Sequence, residues 1–226
     1  MKLKSRMNDN SSANLDKQTN ELCQGLTLLG IEYDEHIIQK FRKYIDVLCE
    51  YKNRFHLLSH QDYIHISKRH FLTSLVALRY VTHCYNACDI GAGAGFPSIP
   101  LKILRPEVNF TLFESKKKKA KFLKHLICEL DLSGIDIIDG RAEHFKEKKF
   151  DLILLKAVGK INRLIKIIDN LIEPKGCAVF YKSHQVEEEI RTANNELKKR
   201  GYRVEVEKVF TPIENLPLAL VVLKKL

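Results

Sequence analysis

Three features make this chain an α/β protein. The expected architecture is a mostly parallel, seven-stranded sheet with helices on both faces, behind a small N-terminal helical cap. From residue 86 onward, short apolar runs alternate with amphipathic stretches at the spacing of right-handed βαβ units. A glycine-rich loop directly follows the first of these runs and opens a helix. At the C-terminal end, two strand-like runs, Tyr202–Val209 and Leu218–Leu223, have no helix between them and form an antiparallel hairpin at the sheet edge.

The elements follow in order. Residues 1–17 are rich in Ser, Asn and Lys without apolar periodicity and are expected to form a mobile tail. Residues 18–84 form the cap. It holds a short helix near 18–29, an amphipathic helix from Asp34 to Tyr51 carrying Ile37, Ile38, Phe41, Ile45 and Leu48, and an apolar-periodic stretch from Gln61 to Val81. Between the last two lies a polar loop, Asn53 to His60. Residues 85–226 form the core, with strands at Ala87–Ile90, Phe110–Phe113, Ile135–Ile138, Leu152–Leu155 and Ala178–Tyr181. Helices over 96–104, 116–131, 159–172 and 185–199 separate most of them.

Composition narrows the function. Of 226 residues, 45% are hydrophobic and 29% charged, which excludes whole-chain disorder. No apolar run approaches the roughly 18–20 residues that a membrane helix needs. Lys and Arg number 38 against 28 Asp and Glu, a formal charge of +10 that suggests a polyanionic partner, nucleic acid first. A general drift toward lysine is the alternative. The six cysteines lack CxxC or Cys/His spacing, so no metal is expected. With no signal-peptide pattern at the N-terminus, buried reduced thiols in a cytoplasmic protein are the simplest reading.

The most informative segment is Asp89-Ile90-Gly91-Ala92-Gly93-Ala94-Gly95-Phe96-Pro97. Its glycines let the backbone turn tightly and lie against a ligand. The spacing is G-x-G-x-G, not the G-x-G-x-x-G of dinucleotide sites, and Asp89 would repel a pyrophosphate. A carboxylate there suits the cationic ammonium and sulfonium end of S-adenosylmethionine (SAM). Glu114 ends the second strand about 20 residues on, where it can accept hydrogen bonds from both ribose hydroxyls. After the third strand, a chain reversal at Gly140-Arg141-Ala142-Glu143 would place Ala142 and Glu143 near an adenine edge; a plain helix start is the alternative. All three points fall at C-terminal ends of adjacent strands, where open α/β sheets bind ligands.

The acceptor side is read partly from missing parts. No Pro-Cys pair is present to attack a pyrimidine, and Leu154-Leu155-Lys156-Ala157-Val158-Gly159 holds no Asn/Asp-Pro-Pro-aromatic turn for an exocyclic amine. Guanine N7 offers an in-plane lone pair and needs alignment more than a base. Lys156 stands where a substrate-facing residue would project, to hold guanine O6 or a phosphate, unless it snorkels at the strand end. Arg69 and His70, with Ser74 one turn on and His56 and His60 in the polar loop, make a substrate rim. Lys116, Lys117, Lys118 and Lys119 start a helix, where positive charge opposes the macrodipole by about 0.3–1 kcal/mol per site. That placement reads as a phosphate-contacting patch. Lys146, Lys148 and Lys149 form a second basic cluster in the chain.

Five βα units followed by a hairpin is the order of class I SAM-dependent methyltransferases, a Rossmann-like fold. Within them, residues 35–225 resemble the RsmG (GidB) family of bacterial 16S ribosomal RNA guanine-N7 methyltransferases. The resemblance rests on Arg69-His70…Ser74-Leu75, on Asp89 to Leu101 with its Gly-Phe-Pro-x-Ile-Pro-Leu ending, and on Glu114-Ser115…Lys118-Lys119. It implies SAM-dependent methylation of a guanine in the 530 loop (position 527), on 16S rRNA or a 30S particle; a monomer is expected, though the sequence does not fix oligomeric state. It also implies that Gly91, Gly93, Gly95, Phe96 and Glu114 contact SAM, with Ala142 and Glu143 flanking the adenine. Several departures cluster on the substrate side. His56-Leu57-Leu58 replaces Asn-Leu-Thr, Thr73 replaces Asp in Arg-His-x-x-Asp-Ser, and Leu155-Lys156-Ala157 replaces Ser-Arg-Ala. Leu216-Pro217 lacks the family's later Arg. These departures leave open a SAM enzyme with another RNA or small-molecule substrate, or a non-catalytic RNA-binding assembly factor. A nicotinamide dehydrogenase ranks last on Asp89 and the glycine spacing.

Overall fold

The computed structural model describes residues 2–52, 54, 56–183, 186–209, 211 and 217–226, with side chains from residue 13 onward. Asn53 and Phe55 of the polar loop, and Leu216, lie outside the described residues. Seven strands form one sheet in the order β3-β2-β1-β4-β5-β7-β6. They span Asn86–Ile90 (β1), Asn109–Glu114 (β2), Ile135–Asp139 (β3), Phe150–Lys156 (β4), Ile172–Lys182 (β5), Tyr202–Val209 (β6) and Leu218–Lys225 (β7). The pairs β1–β2, β2–β3, β1–β4 and β4–β5 are parallel. The last strand slots antiparallel between β5 and β6, so the terminal hairpin closes the sheet with β6 at the edge. The strand order reverses between β1 and β4, which opens a crevice beyond their C-terminal ends.

Alternation along the strands builds two cores. Ala87, Leu112, Leu154, Val179 and Tyr181 join the buried residues of the cap in one cluster. Cys88, Ile90, Phe113, Leu155 and Phe180 join those of helices α8 (Ile161–Leu171) and α9 (Glu187–Lys199) in the other. On the cap face lie α1 (Lys2–Leu28), α2 (Glu35–Tyr51), α6 (Ser98–Leu104) and α7 (Lys117–Glu129). Helix α2 starts where Asp34 Oδ1 accepts the Ile37 N–H at 2.8 Å, and its stripe of Ile38, Phe41, Tyr44, Ile45 and Leu48 is buried.

Two expectations change. The tail expected over 1–17 is instead the beginning of α1, which runs unbroken from Lys2 to Leu28. Its described part is anchored: Leu15 packs on the core and Asp16 pairs with Arg42 at 3.0 Å. The period was hidden because polar residues occupy buried positions in the stripe between Leu15 and Leu22. Gln18 is fully buried, donates to the Tyr63 carbonyl and accepts the Ser67 N–H. The apolar stretch Gln61–Val81 is also not one helix. It breaks into α3 (His60–Ile64), a π-helical turn over Ser67–Leu72, α4 (Thr73–Leu75) and α5 (Leu78–Val81). The π turn carries Arg69 and His70, and such turns concentrate at functional positions.

Candidate active site

The glycine loop is fixed from below. The Gly91 and Ala92 N–H groups donate to the Phe113 carbonyl at 2.8 and 3.1 Å, tying the loop to the end of β2. Gly91, Gly93 and Gly95 all hold positive φ (75°, 60° and 98°), a region that disfavours side chains. Glu114 takes the Gly93 N–H on Oε2 at 2.9 Å and the Lys116 N–H on Oε1 at 2.8 Å. Each oxygen retains a lone pair, so this carboxylate locks the loop and still accepts from a ligand.

Beside the loop, on the α8 face, lies a cavity of about 200 Å³. Gly91, Ser115, Ala142, Glu143, Val158 and Leu164 are among the residues that line it. Glu143 sits on the rim 3.8 Å from Arg141, and Ala142 forms buried wall. Gly91 and Ala142–Glu143 therefore meet at one cavity; Glu114 does not line it, though its neighbours Phe113 and Ser115 do.

On the cap face, Asp89, Lys156 and Tyr181 come from the adjacent strands β1, β4 and β5, near their C-terminal ends. Asp89 is fully buried; Oδ2 accepts the Ser98 N–H at 3.3 Å, while Oδ1 has no hydrogen-bond partner among the described residues. Burial pushes its carboxyl up to about 7 despite the Ser98 hydrogen bonds and the Lys156 charge, which favour ionisation. Lys156 Nζ lies 3.0 Å from Thr73 Oγ1 and 3.5 Å from Ser74 Oγ, above the rings of Phe96 and Tyr181. Burial pulls its ammonium down to about 7, against the charges of Asp89 and Asp62. Tyr181 Oη donates to the Ser74 carbonyl at 2.7 Å, joining β5 to the cap.

His70 stacks on Phe96 with ring centroids 4.6 Å apart. Burial, then the neighbouring Lys156 charge, lower its imidazole to about 4, so it is neutral at physiological pH. Its Nε2 stands 3.4 Å from Asp62 Oδ1, but both ring nitrogens are without a hydrogen bond. Burial would raise the Asp62 carboxyl, but hydrogen bonds from Ser59 and the His70 and Arg69 partners outweigh it and hold the carboxyl below its usual range.

The other expected residues divide. Phe96 does not line the nucleoside cavity: it is wedged between Tyr44 and His70 and faces the cap. Arg69 is exposed and lies 3.5 Å from Asp62, at the outer rim. His56 is exposed on the loop before α3. Lys116, Lys117 and Lys118 are exposed at the start of α7, while Lys119 Nζ comes within 3.9 Å of where a Gly93 Cβ would stand. That puts the lysine run at the mouth of the glycine loop. Lys148 instead pairs with Asp136, near the other end of β3, so its cluster does not extend this patch.

Thr73, Asp62, Tyr44 and Tyr181 were not read as site residues. Tyr44 did carry a signal: it falls on the buried stripe of α2 and its hydroxyl must find a partner.

Sheet order, crevice and glycine loop define a class I methyltransferase fold. Its likeness to a solved SAM-dependent O-methyltransferase from Thermotoga maritima (TM-score 0.57, 15% identity, 81% of this chain and 71% of that one) shows the same architecture. Residues 37–216 match the family model for rRNA small subunit methyltransferase G (GidB), and the chain belongs to that family. It is 32% identical to the ribosomal RNA small subunit methyltransferase G of Lachnoclostridium phytofermentans, over 92% of this chain and 90% of that protein. With the Halalkalibacterium halodurans protein of the same name it shares 35% identity, over 91% of this chain and 90% of that one.

Proposed function

We propose that this chain transfers the methyl group of SAM to N7 of a guanine in 16S rRNA, within the 530 loop. The supporting observation is the cavity beside the glycine loop on one face of the sheet, with the buried Asp89–Lys156 cluster on the other. The residues present suit SAM. Glu114 holds the glycine loop and keeps lone pairs for ribose hydroxyls, Ala142 and Glu143 line the space for a base, and Asp89 Oδ1, unpartnered among the described residues, would face a cationic donor. SAM supplies an electrophilic methyl on a sulfonium.

What remains is done by the chain. A guanine nucleophile needs no proton removed from N7, so the protein's work is to align the base and exclude water. Lys156 donates from Nζ toward the acceptor, held in place by Thr73 and Ser74. Neutral His70 and the rings of Phe96 and Tyr181 pack around Lys156 and shield its Nζ from water. Arg69 and Lys116–Lys119 take up RNA phosphates, setting affinity and salt dependence rather than choice of base. The preferred substrate is the 30S particle or its rRNA, met in the cytoplasm by a monomer. Among the described residues no helix is long and apolar enough to cross a membrane, and no cluster of metal ligands is present.

The test is to incubate the protein with labelled SAM and undermethylated 30S particles, then map the labelled base. Label at guanine N7 in the 530 loop is expected; label elsewhere, or none, rejects the reading. Lys156→Ala should abolish transfer while SAM affinity, measured by calorimetry, stays within about twofold.

A further inference from the structure

Tyr44 belongs to the cap but reaches into the cofactor loop. Its ring is fully buried and its hydroxyl donates to the Ala94 carbonyl at 2.6 Å. The loop is shaped to admit it. A Cβ at Gly95 would stand 2.5 Å from Tyr44 Oη and 2.8 Å from Ile99 Cγ1. Gly95 is therefore needed for its φ and for the space that Tyr44 fills. The loop alone has three residues in a region glycine enters and leaves freely. A hydrogen bond from a rigid helix to its central carbonyl removes that freedom before a ligand arrives.

The contact continues away from the loop. The ring of Tyr44 stacks on Phe96 at 5.4 Å and 16°, and Phe96 stacks on His70 at 4.6 Å and 21°. Phe71 packs against both Tyr44 and Phe96, with centroids 5.1 and 5.9 Å away. His70 lies in the π turn, and its carbonyl accepts from the Thr73 and Ser74 hydroxyls that in turn contact Lys156. One hydrogen bond, three stacked rings and one helical turn thus join the cofactor loop to the acceptor side. Stacked aromatic rings prefer fixed relative geometries, so a shift at one ring biases the position of the turn that carries the next.

We propose that Tyr44 is a positioning residue for the cofactor. It holds the glycine loop in its ligand-accepting shape, and the Tyr44–Phe96–His70 stack couples cofactor occupancy to the turn 67–75 on the acceptor side. The inference rests on the loop being the SAM site. Coupling between two sites is reciprocal, so filling the loop stabilises the turn and a stabilised turn favours a filled loop.

Three proteins decide it: wild type, Tyr44→Phe and Tyr63→Phe. Tyr63 is a second buried cap tyrosine, whose hydroxyl has no hydrogen-bond partner among the described residues. Calorimetry with SAM should show about a tenfold loss of affinity in Tyr44→Phe and wild-type affinity in Tyr63→Phe. Hydrogen exchange in the wild type should show slower exchange across 67–75 when SAM is added, and Tyr44→Phe should lose at least half of that protection at saturating SAM. Equal SAM affinity in wild type and Tyr44→Phe overturns the positioning role, and an equal loss in Tyr63→Phe shows only a loosened cap and overturns it too. Unchanged exchange across 67–75 in the wild type overturns the coupling, even if Tyr44→Phe does not fold. A wild type that binds no SAM overturns the function proposed above instead.

Discussion

Asp89 and Lys156 lie on neighbouring strands and feel each other's charge, and burial draws both toward neutrality near pH 7 from opposite sides. The two have opposite effects on stability. The folded pKa of Asp89 is raised above its unfolded value, so its contribution is present at low pH and lost as pH rises toward 7. That of Lys156 is depressed, so its contribution is present at high pH and lost as pH falls toward 7. The pair therefore weighs most against the fold near neutrality. Asp89→Asn keeps an acceptor for the Ser98 N–H but cannot titrate. Melting temperatures from pH 4.5 to 7 should fall less steeply in Asp89→Asn than in the wild type; parallel curves would refute the assignment.

At the level of elements, the departures at Thr73 and Lys156 become intelligible. The family pattern places Asp and Arg where this chain has Thr73 and Lys156, and the two side chains touch at 3.0 Å. An Asp and an Arg at these positions would be close enough to pair as ions; here a hydroxyl and an ammonium meet instead, so the two departures touch each other. Thr73→Asp alone and Lys156→Arg alone should each cut kcat about threefold or more, and the double variant should recover most of it. Additive losses in a double-mutant cycle would show the positions to be independent. The start of α7 makes a second element-scale case. Its first turn has no acidic residue and no side-chain cap, an arrangement that costs helix stability. Lys117→Glu with Lys118→Glu should raise the melting temperature by a few degrees while weakening 30S binding and flattening its salt dependence. Binding unaffected by the double charge reversal would remove this patch from the RNA interface.

Over the whole molecule, the cap and the sheet share a single hydrophobic cluster from Leu22 through Phe71 to Leu220. A boundary at residues 84–85 is visible in the sequence because periodicity changes there, from helical stretches to alternating strands. It is not a boundary in the packing. A fragment of residues 85–226 would expose the apolar face that the cap covers, and it should aggregate or bind a hydrophobic dye. A monomeric fragment that melts cooperatively would show that the core folds by itself.

Local rules were enough for much of this protein. Strand–helix alternation, the Asp89–Gly95 loop and the Glu114 position depend on backbone geometry and nearest neighbours, and from them the sheet and the tight glycine turn at the end of β1 could be read. The hairpin was legible for the same reason, since an element's period is written in its own residues. Helix α1 was not, because Gln18 is a buried polar residue satisfied by groups about 45 positions away. The break at the π turn, the wedging of Phe96 against the cap and the reach of Tyr44 to Ala94 were likewise decided by packing between distant segments. Burial of Asp89 and Lys156 belongs with them. Charge and residue type can be read from a string, but desolvation depends on which surfaces the folded chain brings together over it.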